Sequence, residues 1–447
     1  MEFAVRSLRL LGFRVFTVLA LLAITALTAR WLGPEGRGVY TLVLLISSIG
    51  VTFLGGVGSA LAYEISNLGR PQRGVVANAV ALSLGIGLLA LLATVIVYLV
   101  LGDSDLWWLV VAGAAQPPLL CGATLTFALL GADDHHNYNR AILAPSVLSL
   151  LFLLVLLGPG RLAGVEESPV LLALVAWLLA HCGTVLWLLW VGRHRWLPPL
   201  VKAVTPAGMV GLLTFGMQSG LADLVSFFNY KADVFILGFF RGAEEVGIYS
   251  VAVQIAEGLW FISSAIGVAI YARVGQLPRQ EAAELTARSM RHAIFVIAVL
   301  ALGAVLVAGV LMPLVFGAEY AASVTAFRLL APGIVIFGLG RIFSTFFTNA
   351  LGRPRVPLVI AATSLVISVP LCFLLIPRFG MNGAAIATTI SYSAAMILAI
   401  VIFSRETRIP ARQMLLVNGD DLRGYLRIGR RLLSLVGGNR QSAVGNG

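Results

Sequence analysis

Apolar stretches of about twenty residues follow one another from Leu11 to Phe403, joined by short polar links. A backbone in hydrocarbon has no water to bond, so every N–H and C=O must be satisfied internally, which a helix does within its own segment. At ~1.5 Å per residue, about twenty residues cross the ~30 Å apolar layer. Twelve runs qualify, approximately 11–30, 38–61, 75–101, 106–130, 141–158, 169–191, 208–240, 246–272, 290–316, 323–351, 356–376 and 380–403. The expected fold class is an all-α integral membrane protein of about twelve transmembrane helices. Only 11% of the residues are charged, against about 25% in a soluble domain, which leaves no room for a large soluble domain.

The net charge of +11 raises the question of a nucleic-acid partner, and its distribution argues against one. With the N-terminus in the cytoplasm and the sides alternating, Arg70, Arg73, Arg193, Arg195, Lys202, Arg288, Arg291, Arg353 and Arg355 fall inside. Asp103, Asp105, Glu166, Glu167, Glu244 and Glu245 fall outside. A basic excess on one face is the positive-inside pattern. It predicts a multi-pass membrane protein with both termini cytoplasmic and membrane lipids as its surroundings. Lys202 and Lys231 are the only lysines among 31 basic residues, as in GC-rich genomes. The first run reads as an uncleaved signal anchor. Cys121, Cys182 and Cys372 lie inside apolar runs without paired spacing, so neither a disulfide framework nor a zinc site is indicated.

One phrase occurs twice, 209 residues apart: Gly33-Pro34-Glu35-Gly36-Arg37-Gly38-Val39-Tyr40 and Gly242-Ala243-Glu244-Glu245-Val246-Gly247-Ile248-Tyr249, both G-x-E-x-x-G-x-Y. Each sits between two apolar runs, on the outer side by the charge pattern. Six runs precede the link around 192–206 and six follow it. An even number gives both halves the same orientation, hence a pseudo-two-fold axis along the membrane normal. The expected organisation is an N-terminal six-helix bundle over 1–195, a C-terminal one over 196–405 and a basic cytoplasmic tail over 406–447. In the tail, Asn418-Gly419-Asp420 suits a helix cap. Leu422, Leu426, Leu432, Leu433 and Val436 recur beside Arg423, Arg427, Arg430 and Arg431. This pattern fits an interfacial amphipathic helix on an anionic leaflet, with a disordered basic tail as the alternative.

Polar residues at membrane depth cost about 2.5–3.5 kcal/mol when charged and mark cavities or partners. The seventh run carries Gln218, Ser219, Asp223, Ser226, Asn229, Tyr230 and Asp233 within an arc of about 140° at ~100° per residue. Lys231 lies off that arc. The arc reads as cavity lining, or alternatively as a hydrogen-bonded helix interface. The repeat offset maps Asp223 onto Arg14, which shares a face with Thr17, Thr25 and Thr28. Arg14 and Asp223 are expected to pair across the cavity, unless Arg14 snorkels to the headgroups. The eighth run places Glu257 near mid-membrane with Gln254, as a proton or cation site or as a partner for Lys231. The tenth run places Arg341 with Thr345 and Thr348; an arginine at depth suits a pyrophosphate. Asp133-Asp134-His135-His136 lacks helical ligand spacing, so no metal is expected there. No G-x-x-x-x-G-K phosphate loop is present, and no catalytic constellation stands out, so an enzyme is not expected.

The stretch from Ala29 to Tyr40 resembles the loop after the first helix of polysaccharide flippases in the multidrug/oligosaccharidyl-lipid/polysaccharide exporter superfamily. Asn229-Tyr230-Lys231-Ala232-Asp233-Val234-Phe235-Ile236-Leu237-Gly238, followed by Gly247-Ile248-Tyr249-Ser250-Val251-Ala252, is similar to that family's seventh and eighth helices. The resemblance spans about residues 7–405. It implies two six-helix bundles around a central cavity, alternating access, and a polyprenyl-pyrophosphate-linked oligosaccharide as substrate. It also implies a bacterial inner membrane as the location, a glycan polymerase and export complex as partners, and no cofactor beyond coupling to H+ or Na+. Under this reading Arg14, Lys231 and Arg341 take the phosphates. Asn229, Tyr230 and Gln254 meet sugar hydroxyls, and Asp223, Asp233 and Glu257 serve ion coupling or gating. Three acids in the lining depart from the family's basic cavity. They keep open a cation-coupled drug antiporter of the same superfamily. A membrane-embedded glycan polymerase or ligase is the alternative from another class, disfavoured by the short outer links.

Overall fold

The computed structural model describes residues 2–163, 169–196, 203–419, 421 and 423; the side chains of 2–15, 159–163, 218, 219 and 272 are left aside. Arg14, Gln218, Ser219 and the amphipathic tail beyond Arg423 therefore lie outside the described side chains. The described chain is helical almost throughout. Its helices are α1 (Glu2–Ser66), α2 (Gln72–Leu101), α3 (Trp108–Ala114), α4 (Gln116–Gly131), α5 (His135–Ala163), α6 (Pro169–Trp196), α7 (Pro206–Gly258), α8 (Trp260–Gln276), α9 (Arg279–Phe316), α10 (Ser323–Phe337), α11 (Gly340–Thr345), α12 (Arg355–Thr407) and α13 (Ala411–Leu415).

Nine segments among the described residues are long and apolar enough to cross a membrane. Three of them, Phe16–Ser66, Gly220–Gln276 and Arg355–Thr407, run to 51, 57 and 53 residues. At ~1.5 Å per residue each is more than twice the length that the apolar layer accommodates. Each leaves helical φ/ψ at one glycine: Gly33 (φ 67°, ψ 177°), Gly242 (φ 80°, ψ −175°) and Gly380 (φ 55°, ψ −137°); the turn at Leu259 between α7 and α8 keeps helical angles. Three breaks in nine segments restore the twelve spans expected from the apolar runs. The first two breaks are the opening glycines of the twin phrase, in backbone conformations that essentially only glycine enters. The phrase is thus a one-residue reversal between two helices rather than an open loop, since helix resumes directly at Pro34 and Ala243.

Packing divides the chain into two units. One comprises Met1–Gly258, Val305–Gly333 and Ala361–Ser391; the other comprises Leu259–Ala304, Ile334–Ile360 and Tyr392–Gly447. The first unit draws on both sequence halves, because α1 and α7 pack along a shared seam. Its cores include Leu61, Leu120, Leu125 and Trp196 on one side and Tyr40, Val43, Leu153 and Trp177 on another. In the second unit, Phe337 stacks on Tyr392 with ring centroids 4.2 Å apart, and Phe346 tilts against Phe403 at 5.0 Å.

Glycines set how close the α1–α7 seam runs. A β-carbon on Gly38 would overlap the Ala243 carbonyl, and one on Gly247 would overlap the Pro34 carbonyl. Gly38 and Gly247 are the sixth positions of the two phrases, and Pro34 and Ala243 are the second positions. Position six of each copy therefore lies on position two of the other, which is the reciprocity that a local two-fold relation produces. Further along the seam, β-carbons on Gly216 and Gly220 would overlap backbone at Val57 and Phe53. Near that end Tyr63 and Phe215 stack at 5.3 Å.

The expected cap in the tail is present. Asn418 Oδ1 accepts the Asp421 N–H at 2.8 Å, and Asp421 Oδ2 accepts the Asn418 N–H at 3.1 Å, the reciprocal pairing of a capping box. In the link before α5, Asp134 accepts from the Asn137 N–H and amide at 3.2 and 3.0 Å. Partial burial raises its carboxyl, but these bonds, with Arg195 and His136, hold it below the ordinary carboxylate range.

Candidate functional site

The polar set of α7 divides between two faces. Reversal at Gly242 folds the second part of α7 back along the first, so residues on either side of the break meet. Lys231 Nζ lies 2.7 and 2.9 Å from the two oxygens of Glu257. The side chains of this pair remain 25% and 26% exposed. This is the partner that the alternative reading of Glu257 anticipated. Asp233 points elsewhere. It is 5% exposed and accepts from the Tyr249 hydroxyl at 2.6 Å, the Thr388 hydroxyl at 3.0 Å and the Val234 N–H at 2.9 Å. Three donors satisfy a buried carboxylate. Asp233 thus sits in the interface of both parts of α7 with α12, the arrangement that the alternative reading of the arc describes.

The other predicted residues are distributed as follows. Asn229 is buried, so a sugar reaches it only in another conformation. Tyr230 and Gln254 are half-buried. Asp223 is exposed, and its Oδ2 would lie 3.9 Å from a β-carbon on Gly55 of α1. Arg341 belongs to the second unit. It is exposed, with its Cγ beside Gly267 of α8, and Thr345 donates to its carbonyl at 3.1 Å. With the Arg14 side chain outside the description, the expected Arg14–Asp223 pair stands as an expectation.

Arg37 is a polar group that the sequence reading passed over. It is 6% exposed in the α1–α7 crossing. Its guanidinium donates to Thr28 Oγ1 at 2.5 Å and to Ser250 Oγ at 3.4 Å, and lies over the Tyr40 ring at 5.6 Å. No carboxylate pairs with it among the described residues. The available signal was the phrase itself: a helix that restarts at Pro34 puts Arg37 and Tyr40, three apart, on one face. Around this crossing, Tyr320 donates to the Ala29 carbonyl at 3.1 Å, and Arg30 donates to the Leu314 and Val315 carbonyls. Glu245 pairs with Arg241 at 2.6 Å and accepts the Met381 N–H at 2.9 Å, which caps the restart after Gly380.

The geometry is therefore a half-exposed ion pair on one face of the α7 hairpin, a sealed carboxylate network on another, and a buried guanidinium at the reversal. Comparison with known proteins adds a lineage. A family model described as polysaccharide biosynthesis protein matches residues 10–271, and a model described as MatE matches 214–374. The chain is 28% identical over 210 residues to "Probable flippase AglR" of Haloferax volcanii, covering 44% of this chain and 42% of that protein. It thus spans about two fifths of that relative. It is 22% identical over 404 residues to "Putative O-antigen transporter" of Shigella flexneri, covering 85% and 92%. Both are named for movement of a solute rather than for a reaction. Among solved structures, a lipid II flippase, MurJ, in an inward closed conformation superposes with TM-score 0.67 at 12% identity, covering 91% of this chain and 89% of that one. That likeness speaks for the fold alone.

Proposed function

Because the chain belongs to the polysaccharide biosynthesis protein family, we propose that it is a flippase for a lipid-linked glycan. In this reading it carries a polyprenyl-pyrophosphate-linked oligosaccharide repeat unit from the cytoplasmic to the outer leaflet of a bacterial inner membrane by alternating access. The names of its flippase and O-antigen-transporter relatives support the substrate class.

The observation that carries the mechanism is the Lys231–Glu257 pair. A pyrophosphate entering the hairpin face meets an ammonium already held by a carboxylate. The anion displaces Glu257 from Lys231, and the released carboxylate then takes up a proton or a cation. Substrate and ion thereby exchange one partner, which couples their movements. Arg14 supplies a further charge-assisted contact to the phosphates, Arg341 is a separate phosphate-binding candidate in the second unit, and Tyr230, Gln254 and Asn229 meet sugar hydroxyls. Asp223 and Asp233 act on gating.

Reconstitution with a fluorescent lipid-linked oligosaccharide tests this. Lys231→Ala is expected to lower flipping at least tenfold at unchanged protein level. Glu257→Gln is expected to leave binding intact while removing the dependence on the ion gradient. Wild-type flipping by Lys231→Ala removes the assignment. A second reading, a cation-coupled small-molecule antiporter, is favoured by the MatE match over 214–374 and by the acids on α7. Drug resistance conferred without glycan export would select it.

A further inference from the structure

A cavity of about 340 Å³ opens in the second unit between the first turns of α9 and the segment after α12. Arg288, Arg291 and Arg408 line it with Gln280, Gln413 and Glu284. We propose that this cavity binds a phosphate group, as carried by the headgroup of an anionic phospholipid or by a soluble phosphate.

Three features separate these arginines from the ordinary basic excess at this end of the spans. Their neighbours have an acidic partner: Arg279 and Arg353 share the Glu406 carboxylate, at 2.6 and 3.0 Å. Arg288 and Arg408, by contrast, have no acidic partner and no side-chain hydrogen bond among the described residues. Arg291 is built into the wall at 13% side-chain exposure. It donates to the Gln413 carbonyl and to Asp421 Oδ1, both at 3.2 Å. Its Nε also lies 2.8 Å from Asp421 Oδ2, so a two-point ion pair with Asp421 fixes this guanidinium in the wall. Arg408 adds a backbone observation. It ends α12 in the left-handed conformation, φ 60° and ψ 15°, with its N–H on the Ser404 carbonyl. Glycine is the usual residue there, because a side chain strains that conformation. The arginine at this position lines the cavity.

The chemistry fits a tetrahedral oxyanion. Guanidinium forks offer paired donors to phosphate oxygens, and Gln280 and Gln413 add neutral donors. Glu284, which accepts from Gln280 at 3.3 Å, is the opposing charge in the lining and sets an upper limit on affinity. In the orientation that the charge pattern predicts, with both termini cytoplasmic, this end of the spans faces the inner leaflet, where basic pockets between spans collect anionic lipid.

The full chain in neutral detergent provides the test, read as thermal unfolding with added phosphatidylglycerol, phosphatidylcholine or inorganic phosphate. Phosphatidylglycerol is expected to raise the melting temperature where phosphatidylcholine does not. Arg288→Gln/Arg408→Gln removes two charge-assisted contacts and should weaken that response at least tenfold in lipid concentration. Glu284→Gln should strengthen it, an opposite sign that general destabilisation cannot imitate, and Arg405→Gln should leave it unchanged. A full response to inorganic phosphate assigns the site to a soluble ligand, and none assigns it to lipid. The proposal fails if neither additive shifts the wild type, or if the double variant responds as the wild type does.

Discussion

The two copies of G-x-E-x-x-G-x-Y share a backbone and differ in what they enclose. Both open on a glycine at positive φ with ψ near 180°, and both close on a buried tyrosine, Tyr40 and Tyr249. In the first copy Arg37 is buried among hydroxyls. In the second, Val246 takes that position, and Tyr249 turns its hydroxyl to the carboxylate of Asp233. The position matching Asp233 in the first copy is Ile24. One scaffold thus carries a buried cation in one half and a buried anion in the other. Steric demands at the crossing act on both halves alike, whereas charge at the same positions varies freely once each group finds its own donors or acceptors.

The steric half of this comparison carries the largest expected effect. Gly38→Val and Gly247→Val should each cost more than about 3 kcal/mol, since the added carbons meet backbone carbonyls rather than movable side chains. The two losses should agree within about 1 kcal/mol by thermal unfolding in detergent, while Gly303→Ala, with open space around it, should change little. A large inequality between Gly38 and Gly247 would break the local two-fold relation.

Next comes the anion. Asp233→Ala leaves the Tyr249 and Thr388 hydroxyls buried without an acceptor, and should cost about 2–4 kcal/mol from two orphaned groups. Tyr249→Phe should then be nearly silent in the Asp233→Ala background. The reversal itself is expected to rank third: Gly33→Ala and Gly242→Ala should each cost about 1–3 kcal/mol through backbone strain alone. The smallest effect belongs to Arg37→Met. It removes a buried charge along with its bonds, and such exchanges are often neutral or stabilising; a shift within about 1 kcal/mol is expected. If Arg37→Met proves as damaging as Asp233→Ala, the two copies are electrostatically alike in demand, and the contrast drawn above is wrong.

The twelve spans and their breaks could be read from the residues, because burial in hydrocarbon leaves a composition signal in every segment and Gly33 and Gly242 mark where helix cannot continue in the ordinary way. The sequence likewise pointed to Lys231, Asp233 and Glu257 as unusual at their depth. Their partners were harder to see. A helical wheel orders residues around one axis, and it placed Asp233 on a common arc with Asp223. Whether Asp233 faces water or Thr388 depends on α12, 155 residues later. The Lys231–Glu257 pair was one of the two readings that the sequence offered for Glu257, and the hairpin geometry brings the two side chains together. Arg37 escaped notice because its phrase read as a loop, where a basic residue is unremarkable; only an unbroken helix from Pro34 makes it internal.

The reciprocal glycines have a consequence for how such a chain changes over generations. After an internal duplication, each half is ordinarily free to drift, since the other preserves the ancestral form. Here the space needed by Pro34 is guarded by Gly247, and that needed by Ala243 by Gly38. A mutation in one half is therefore screened by the backbone of the other. Kinship between the halves stays readable where they touch, long after their interiors have taken opposite charge.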